Sequence, residues 1–352
     1  MEQTSLMIYG AYGYTGELIT QTAVNKGWRP LLAGRNDTKL KALASRFGLE
    51  YVVFDVNEKE KLLAALQGKK VLLHCAGPFA HTFKQMINAC IQTGTHYLDI
   101  TGEISVFEGA AAKSEAAKKA GIMLMPGTGF DVVPSDCLAA YLKQQLPDAT
   151  SLKLAFTSLG RMSRGTSLTM VENLGSGGAV RKNGKIINVK NAHNVQEFPF
   201  GEKKILCATI PWGDVSTAYY STGIPNIETY MSASPSMIKS MKMGNYIGWL
   251  LSSSLVQNYL KAQVNKRKPG PDETERKNGY SIFYGEVQNE KGEKKSAGLK
   301  TLEGYSLTAA TSVNIAEKVL NGNFKTGYMT PSLAYGPDLI LETGESKRYD
   351  IS

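Results

Sequence analysis

Short, wholly apolar runs separated by helix-period stripes organise the first third of the chain. The runs are Leu6–Tyr9, Pro30–Ala33, Tyr51–Phe54, Val71–Cys75, Tyr97–Ile100 and Ile122–Met125. Each is too short and too continuously apolar for a surface hairpin, which is the pattern of strands buried on both faces. Between them Leu40, Leu43 and Phe47 recur at helical spacing, and Met86, Ile87 and Cys90 form a second stripe, so each helix has one face to lay on a sheet. Strands and helices in alternation predict βαβ units and a parallel sheet. Six strands in this rhythm make one doubly wound domain over residues 1–134.

After a helix predicted over Ser135–Gln145, with Ser135 near its N-cap, the strands lengthen and alternate: Ser151–Thr157, Lys204–Ile210, Ile227–Ala233, Tyr280–Gln288 and Lys295–Leu302. Glu290-Lys291-Gly292-Glu293 reads as the hairpin turn between the last two. Helices are predicted over Thr166–Leu174, Ser236–Val264 and Tyr305–Leu320, the last stopped by Asn321-Gly322. Residues 135–325 are therefore expected to form an α+β substrate and dimerisation domain with a mixed or antiparallel sheet. The segment 326–352 is expected to return to the first domain.

The chemistry-bearing residues fall at strand ends. Gly10-Ala11-Tyr12-Gly13-Tyr14-Thr15-Gly16 follows the first strand and opens a helix. Gly10 allows a tight turn, Gly13 lets backbone approach a pyrophosphate, and Gly16 lets the helix pack closely on the strand, with helix-end N–H groups facing the phosphates. This strand–loop–helix context predicts a Rossmann-type dinucleotide site. Gly34-Arg35 ends the second strand where an NAD site carries an acidic residue, and a guanidinium suits a 2′-phosphate, so NADP(H) is the expected cofactor. Asp55 after the third strand either meets the adenine edge or shapes a turn. Cys75-Ala76-Gly77-Pro78 ends the fourth strand at the edge where cofactors lie. Asp99, after the fifth, is a proton donor, a hydrogen-bond partner or a capping group. In the loop from Met125 to Asp136, either Asp131, Ser135 and Asp136 orient substrate, or the loop is a rigid crossover with Ser135 and Asp136 capping the next helix. Asp99, Asp131 and Ser135 are the catalytic candidates.

Composition changes this picture little: 42% hydrophobic and 20% charged residues describe an ordinary folded protein. A net charge of +9 fits a phosphorylated cofactor, a CoA- or carrier-linked substrate, an anionic membrane surface, or simply a solvated basic face. No nucleic-acid motif accompanies it, so nucleic acid is not an expected partner. Cys75, Cys90, Cys137 and Cys207 are scattered and the four histidines lack ligand spacing, so neither disulfides nor a metal site is expected. With no basic-then-apolar leader and no apolar run of about 18 residues, a cytoplasmic location is expected. The stretch 236–268, apolar and then basic at Lys266-Arg267-Lys268, either lies on a membrane surface or packs within its own domain or a homodimer.

Taken in order and spacing, these glycine-loop, Ala33-Gly34-Arg35, Cys75–Phe79, Gly94–Glu103 and Gly127–Asp136 motifs resemble the saccharopine dehydrogenase-like family, which includes saccharopine reductases and trans-acting enoyl reductases. The resemblance is close over residues 5–145 and looser through Ser221–Asn226 and Thr330–Ser332. Tyr12 and Phe83 depart from it, standing where the family usually has a small hydroxyl residue and a glycine. It implies a Rossmann domain joined to an α+β domain, NADP(H) across the glycine loop, and hydride transfer to a C=N or C=C bond of a small or carrier-linked substrate in an inter-domain cleft. The alternative is a non-catalytic NADP-binding redox sensor or partner-binding protein, because a fold does not fix a function.

Overall fold

The computed structural model describes residues 4–351. Every apolar run read from the sequence is a strand: β1 (Leu6–Tyr9), β2 (Leu31–Gly34), β3 (Tyr51–Val53), β4 (Val71–His74), β5 (His96–Asp99) and β6 (Met123–Met125). They pair in parallel in the order β6-β5-β4-β1-β2-β3, and a seventh strand, Gly327–Tyr328, joins beside β6. Leu6, Met7, Ile8, Leu72 and Leu73 have no exposed surface, which is why these runs show no polar alternation. Helices cover the sheet with the expected stripes. Asp37–Phe47 buries Leu40, Leu43 and Ala44, is capped by Asn36 accepting from Lys39 N–H at 2.9 Å, and stops at Gly48 with φ +63°. Phe83–Thr93 buries Met86, Ile87 and Cys90. Strand order reverses at β1, so the carboxyl ends of β1 and β4 flank the topological switch point where such sheets take ligands.

The second sheet is built from β7 (Ser151–Leu159), β8 (Gly178–Lys182), β9 (Lys185–Val189), β10 (Val195–Phe200), β11 (Lys203–Thr209), β12 (Asn226–Ser232), β13 (Tyr280–Gln288) and β14 (Lys294–Leu302). Its order is β10-β11-β12-β7-β13-β14 with Lys347–Ile351 on the edge, and β8–β9 as a side hairpin against β12. All pairs are antiparallel except β12 with β7, so the sheet is mixed. Its core on one face is Ala155, Phe198, Phe200, Cys207, Tyr230 and Tyr284. Among the described residues no helix is long and apolar enough to cross a membrane.

By contact the chain forms two compact units, one running to Val133 and including Tyr305–Ala334, the other comprising Pro134–Gly304 and the chain from Tyr335 onward. This corrects the expected 135–325 and 326–352 segments. The helix Gly304–Leu320 is tied to the first unit by Thr308 Oγ1, which accepts from Phe130 N–H at 3.0 Å, and by Thr311, which donates to Thr128 O at 2.7 Å. Its apolar stripe was readable; the sheet it would cover was not. Conversely, among the described residues of the tail only Gly327–Tyr328 joins the first sheet, whereas Lys347–Ile351 pairs with β14 in the second.

Three local expectations also change. The helix drawn from Ser135 starts at Val133, so Ser135 lies in its first turn and is not the N-cap. The long helix drawn over 236–264 is three, Pro235–Gly244, Gly248–Leu251 and Ser254–Asn265, interrupted at Gly244-Asn245 and Ser252-Ser253. The β8–β9 hairpin was not anticipated, although Asn183 and Gly184 at its tip, with φ +50° and +76°, are the residues such a two-residue turn requires.

Candidate functional site

At the carboxyl end of β1, Gly10 turns the chain with φ +79°, and a Cβ there would lie 2.8 Å from Ala76 N. The loop after β1 and the turn after β4 are therefore in direct contact, and only glycine permits it. Gly13 is the N-cap of the helix Tyr14–Asn25 and has no side chain to cap the first turn, which includes Thr15. A Cβ on Gly16 would come within 2.4 Å of Gly10 O and 3.0 Å of Ala11 Cα, so that glycine holds helix and loop together. Tyr14 stacks edge-on against Tyr305 at 5.1 Å. Tyr12 lies across Gly34, where an added Cβ would be 2.6 Å from its ring.

Beyond Gly34, Arg35 projects into solvent with 72% of its side chain exposed, and its guanidinium is 3.9 Å from Asp55. Asp55 in turn accepts from Asn57 N–H at 3.0 Å and Asn57 Nδ2 at 2.7 Å, so it shapes the turn after β3. Lys39 approaches the same patch, its Nζ 5.8 Å from the Tyr12 ring centre. Two cations against one carboxylate, around an aromatic ring at the end of β2, fit the 2′-phosphate end of NADP(H). Lys39 was missed in the sequence; its signal was its place in the first turn of the helix that Asn36 caps.

After β4, Cys75 N–H donates to Tyr9 O at 2.8 Å. Burial, with the Asp99 charge adding to it, pushes the half-buried Cys75 thiol far above its usual range, which disfavours the thiolate. His74 is buried too; burial pushes it down to about 3, and its neutral ring bonds Thr82 Oγ1 at 2.8 Å. The Gly77–Pro78 peptide is cis. Immediately beyond it, Phe79 N–H and Ala80 N–H donate to the two oxygens of Glu103 at 2.8 and 2.9 Å. Glu103 was legible only as the end of a motif, because its partners lie 24 and 23 residues earlier.

The three catalytic candidates have different surroundings. Asp99 is fully buried and accepts from Tyr97 O–H at 2.6 Å, Thr101 N–H at 2.9 Å and Gly127 N–H at 2.9 Å. Burial lifts its carboxyl to about 7 even against those donors. It braces the ends of β5 and β6. Asp131 is half-buried beside Gly102, whose added Cβ would be 2.7 Å from Asp131 Oδ2. Burial first, then the Glu103 charge, lift Asp131 to about 7. Ser135 belongs to the second unit, where its Oγ bonds Asp214 Oδ2 at 2.8 Å. The structure thus gathers Asp99, Asp131, Glu103 and the Cys75–Pro78 turn in one cluster of strand-end loops in the first unit.

Comparison with known proteins places this geometry. Residues 6–125 match the family model of the saccharopine dehydrogenase NADP-binding domain. The saccharopine dehydrogenase-like oxidoreductase of Mus musculus is 25% identical over 207 residues, 50% of this chain and 47% of that protein. The trans-acting enoyl reductase of Mycobacterium ulcerans (strain Agy99) is 28% identical over 162 residues, 44% of this chain and 39% of that protein. The chain spans about half the length, or less, of these curated relatives. The apo histidine-tagged saccharopine dehydrogenase (L-Glu forming) from Saccharomyces cerevisiae shares the fold, with a TM-score of 0.67 over 99% of both chains at 14% identity. Residues 6–125, then, are similar to the saccharopine dehydrogenase NADP-binding domain, and the chain as a whole shares the fold of the yeast enzyme.

Proposed function

We propose that this chain is an NADP-dependent oxidoreductase that passes a hydride between the nicotinamide and a C=N or C=C bond of a small or carrier-linked substrate. The observation that carries the reading is the contact between the Gly10–Gly16 loop and the Cys75–Pro78 turn at the switch point of the parallel sheet. The C=C alternative follows the enoyl reductase among the relatives, and the C=N alternative the saccharopine dehydrogenase-like one. The reading keeps the cytoplasmic location and the homodimer expected from sequence.

NADPH supplies the hydride when bound, and the protein supplies position and a proton. Gly13 and the first helical turn hold the pyrophosphate, Arg35 and Lys39 the 2′-phosphate, and Cys75–Pro78 line the nicotinamide end. Glu103 fixes that turn through Phe79 and Ala80. Asp131 is the proton source: half-buried and lifted to about 7, it keeps a large protonated fraction at neutral pH, where an ordinary carboxyl has none, and is still able to release its proton. Asp99 is occupied by three donors and keeps the loops in place.

The pH profile of kcat/KM tests this assignment. Activity is expected to be full well below 7, halved near 7 and lost above it, as Asp131 gives up its proton. Asp131→Asn is expected to lower the rate about 10²-fold and flatten that limb, with turnover surviving because water can deliver the proton. Glu103→Gln removes a negative neighbour, so Asp131 ionises more easily and the limb moves to lower pH. An unchanged limb in both variants would assign the proton to another group. NADPH consumption with enoyl thioesters, imines and keto acids, offered singly, tests the activity itself; turnover with enoyl thioesters or imines is expected. If no substrate is turned over, the proposed function fails.

A further inference from the structure

The second unit leaves large apolar side chains in solvent on consecutive helices and the turn between them. Tyr246 is 79%, Trp249 78%, Leu255 83% and Tyr259 64% exposed, the four highest values for large apolar residues among the described residues. Packing on the other side fixes this orientation. In Ser254–Asn265, Val264 is buried, Gln257 Nε2 donates to Val171 O at 2.7 Å, and Lys261 pairs with Glu172 at 2.7 Å. Leu255 and Tyr259, one turn apart, share the opposite face. In Pro235–Gly244, Ile238 packs with Ala192, Ala208 and Ala233 while Met243 emerges.

The charge along this stretch of chain has one sign. Between Glu228 and Asp272 the sequence has no acidic residue, while Lys239, Lys242, Lys266, Arg267 and Lys268 are all exposed. Next to Tyr246 and Trp249 lies an open recess of about 590 Å³, bordered by Lys190, His193, Asn245 and Gly248.

We propose that this face docks on an anionic phospholipid surface, with Tyr246, Trp249, Leu255 and Tyr259 entering the interfacial layer and the cations meeting headgroup phosphates. Aromatic rings and lysines grouped on short helices match the boundary between headgroups and acyl chains. No helix among the described residues is long and apolar enough to span, so the contact is peripheral. A second copy is a poorer occupant. A two-fold interface sets each patch against itself and brings the basic residues of this stretch from both copies closer together.

The test is flotation of the full chain with vesicles of phosphatidylcholine containing about 30% phosphatidylserine, against phosphatidylcholine alone, at low salt. The chain is expected to float only with the anionic vesicles, and Trp249 emission to shift to the blue, a shift absent from Trp249→Phe. Leu255→Glu combined with Tyr259→Glu is expected to lower the bound fraction about tenfold. Both residues are exposed, so the far-UV dichroism and the NADPH affinity of that variant should not change. Failure to float with anionic vesicles would overturn the proposal. So would flotation undiminished in the double variant, which would mean adsorption by charge alone. Concentration-dependent dimerisation abolished by the double variant, without flotation of the parent chain, would assign the face to a second copy.

Discussion

Gly13→Val is expected to weaken binding of NADPH and NADH alike by at least about 100-fold while the protein stays folded. Gly13 has φ −70° and ψ 158°, which any residue adopts, so the variant stores no backbone strain. Its Cβ would approach Gly10 O at 3.2 Å, a contact that a shift of a few tenths of an ångström relieves. The branched side chain would still occupy the approach of the pyrophosphate. Losing two charge-assisted hydrogen bonds at about 1.5–3 kcal/mol each exceeds the fall predicted here, whereas the poorer N-cap costs only about 1 kcal/mol of stability. Gly16 is no substitute for this test, because its Cβ would meet Gly10 O at 2.4 Å and damage the loop itself. Calorimetric titration with both cofactors, beside a thermal melt, separates lost binding from lost folding. Undiminished affinity would place the pyrophosphate elsewhere.

Arg35→Glu is expected to remove the preference for NADPH over NADH. A charge-assisted contact to the 2′-phosphate contributes about 1.5–3 kcal/mol, roughly 10- to 150-fold in affinity, and NADH has no such phosphate. Because the Arg35 side chain is 72% exposed, the effect should fall toward the lower end and shrink with salt. Lys39 shares the patch, so Arg35→Glu with Lys39→Glu should extend the loss. Fluorescence titration of each variant with both cofactors measures the ratio directly. A ratio equal to that of the parent chain would make both cations bystanders.

What was legible in the sequence was local. Five largely buried strands, and the half-buried edge strand β3, showed as apolar runs because a strand covered on both faces has no solvent side to alternate with. The glycine loop and Arg35 showed because their roles depend on offsets from one strand end. The roles of Lys39 and Glu103 arise where separate loops meet, Lys39 at Tyr12 and Glu103 at Phe79 and Ala80, and no periodicity encodes such meetings. Ser135 was assigned by the presumed start of a helix that begins two residues earlier, at Val133, and its hydroxyl is bonded to Asp214. The helix after Gly304 announced an apolar stripe without saying which sheet it covers, and the bonds from Thr308 and Thr311 to the loop at Thr128–Phe130 decide that. Asp99 and Asp131 looked alike as strand-end and loop carboxylates. Three donors on one, and half-burial beside Gly102 for the other, distinguish them only in three dimensions.

In the proposed reaction hydride leaves NADPH held at the carboxyl edge of the parallel sheet for a C=N or C=C bond. The most direct test uses NADPH carrying deuterium at the transferred position, offered with enoyl thioesters and imines, followed by mass spectrometry of the products. One deuterium per product molecule is expected in one substrate class, with none in the Gly13→Val variant. Tight NADPH binding with no label in any product would contradict the account and make the chain a non-catalytic NADP-binding protein.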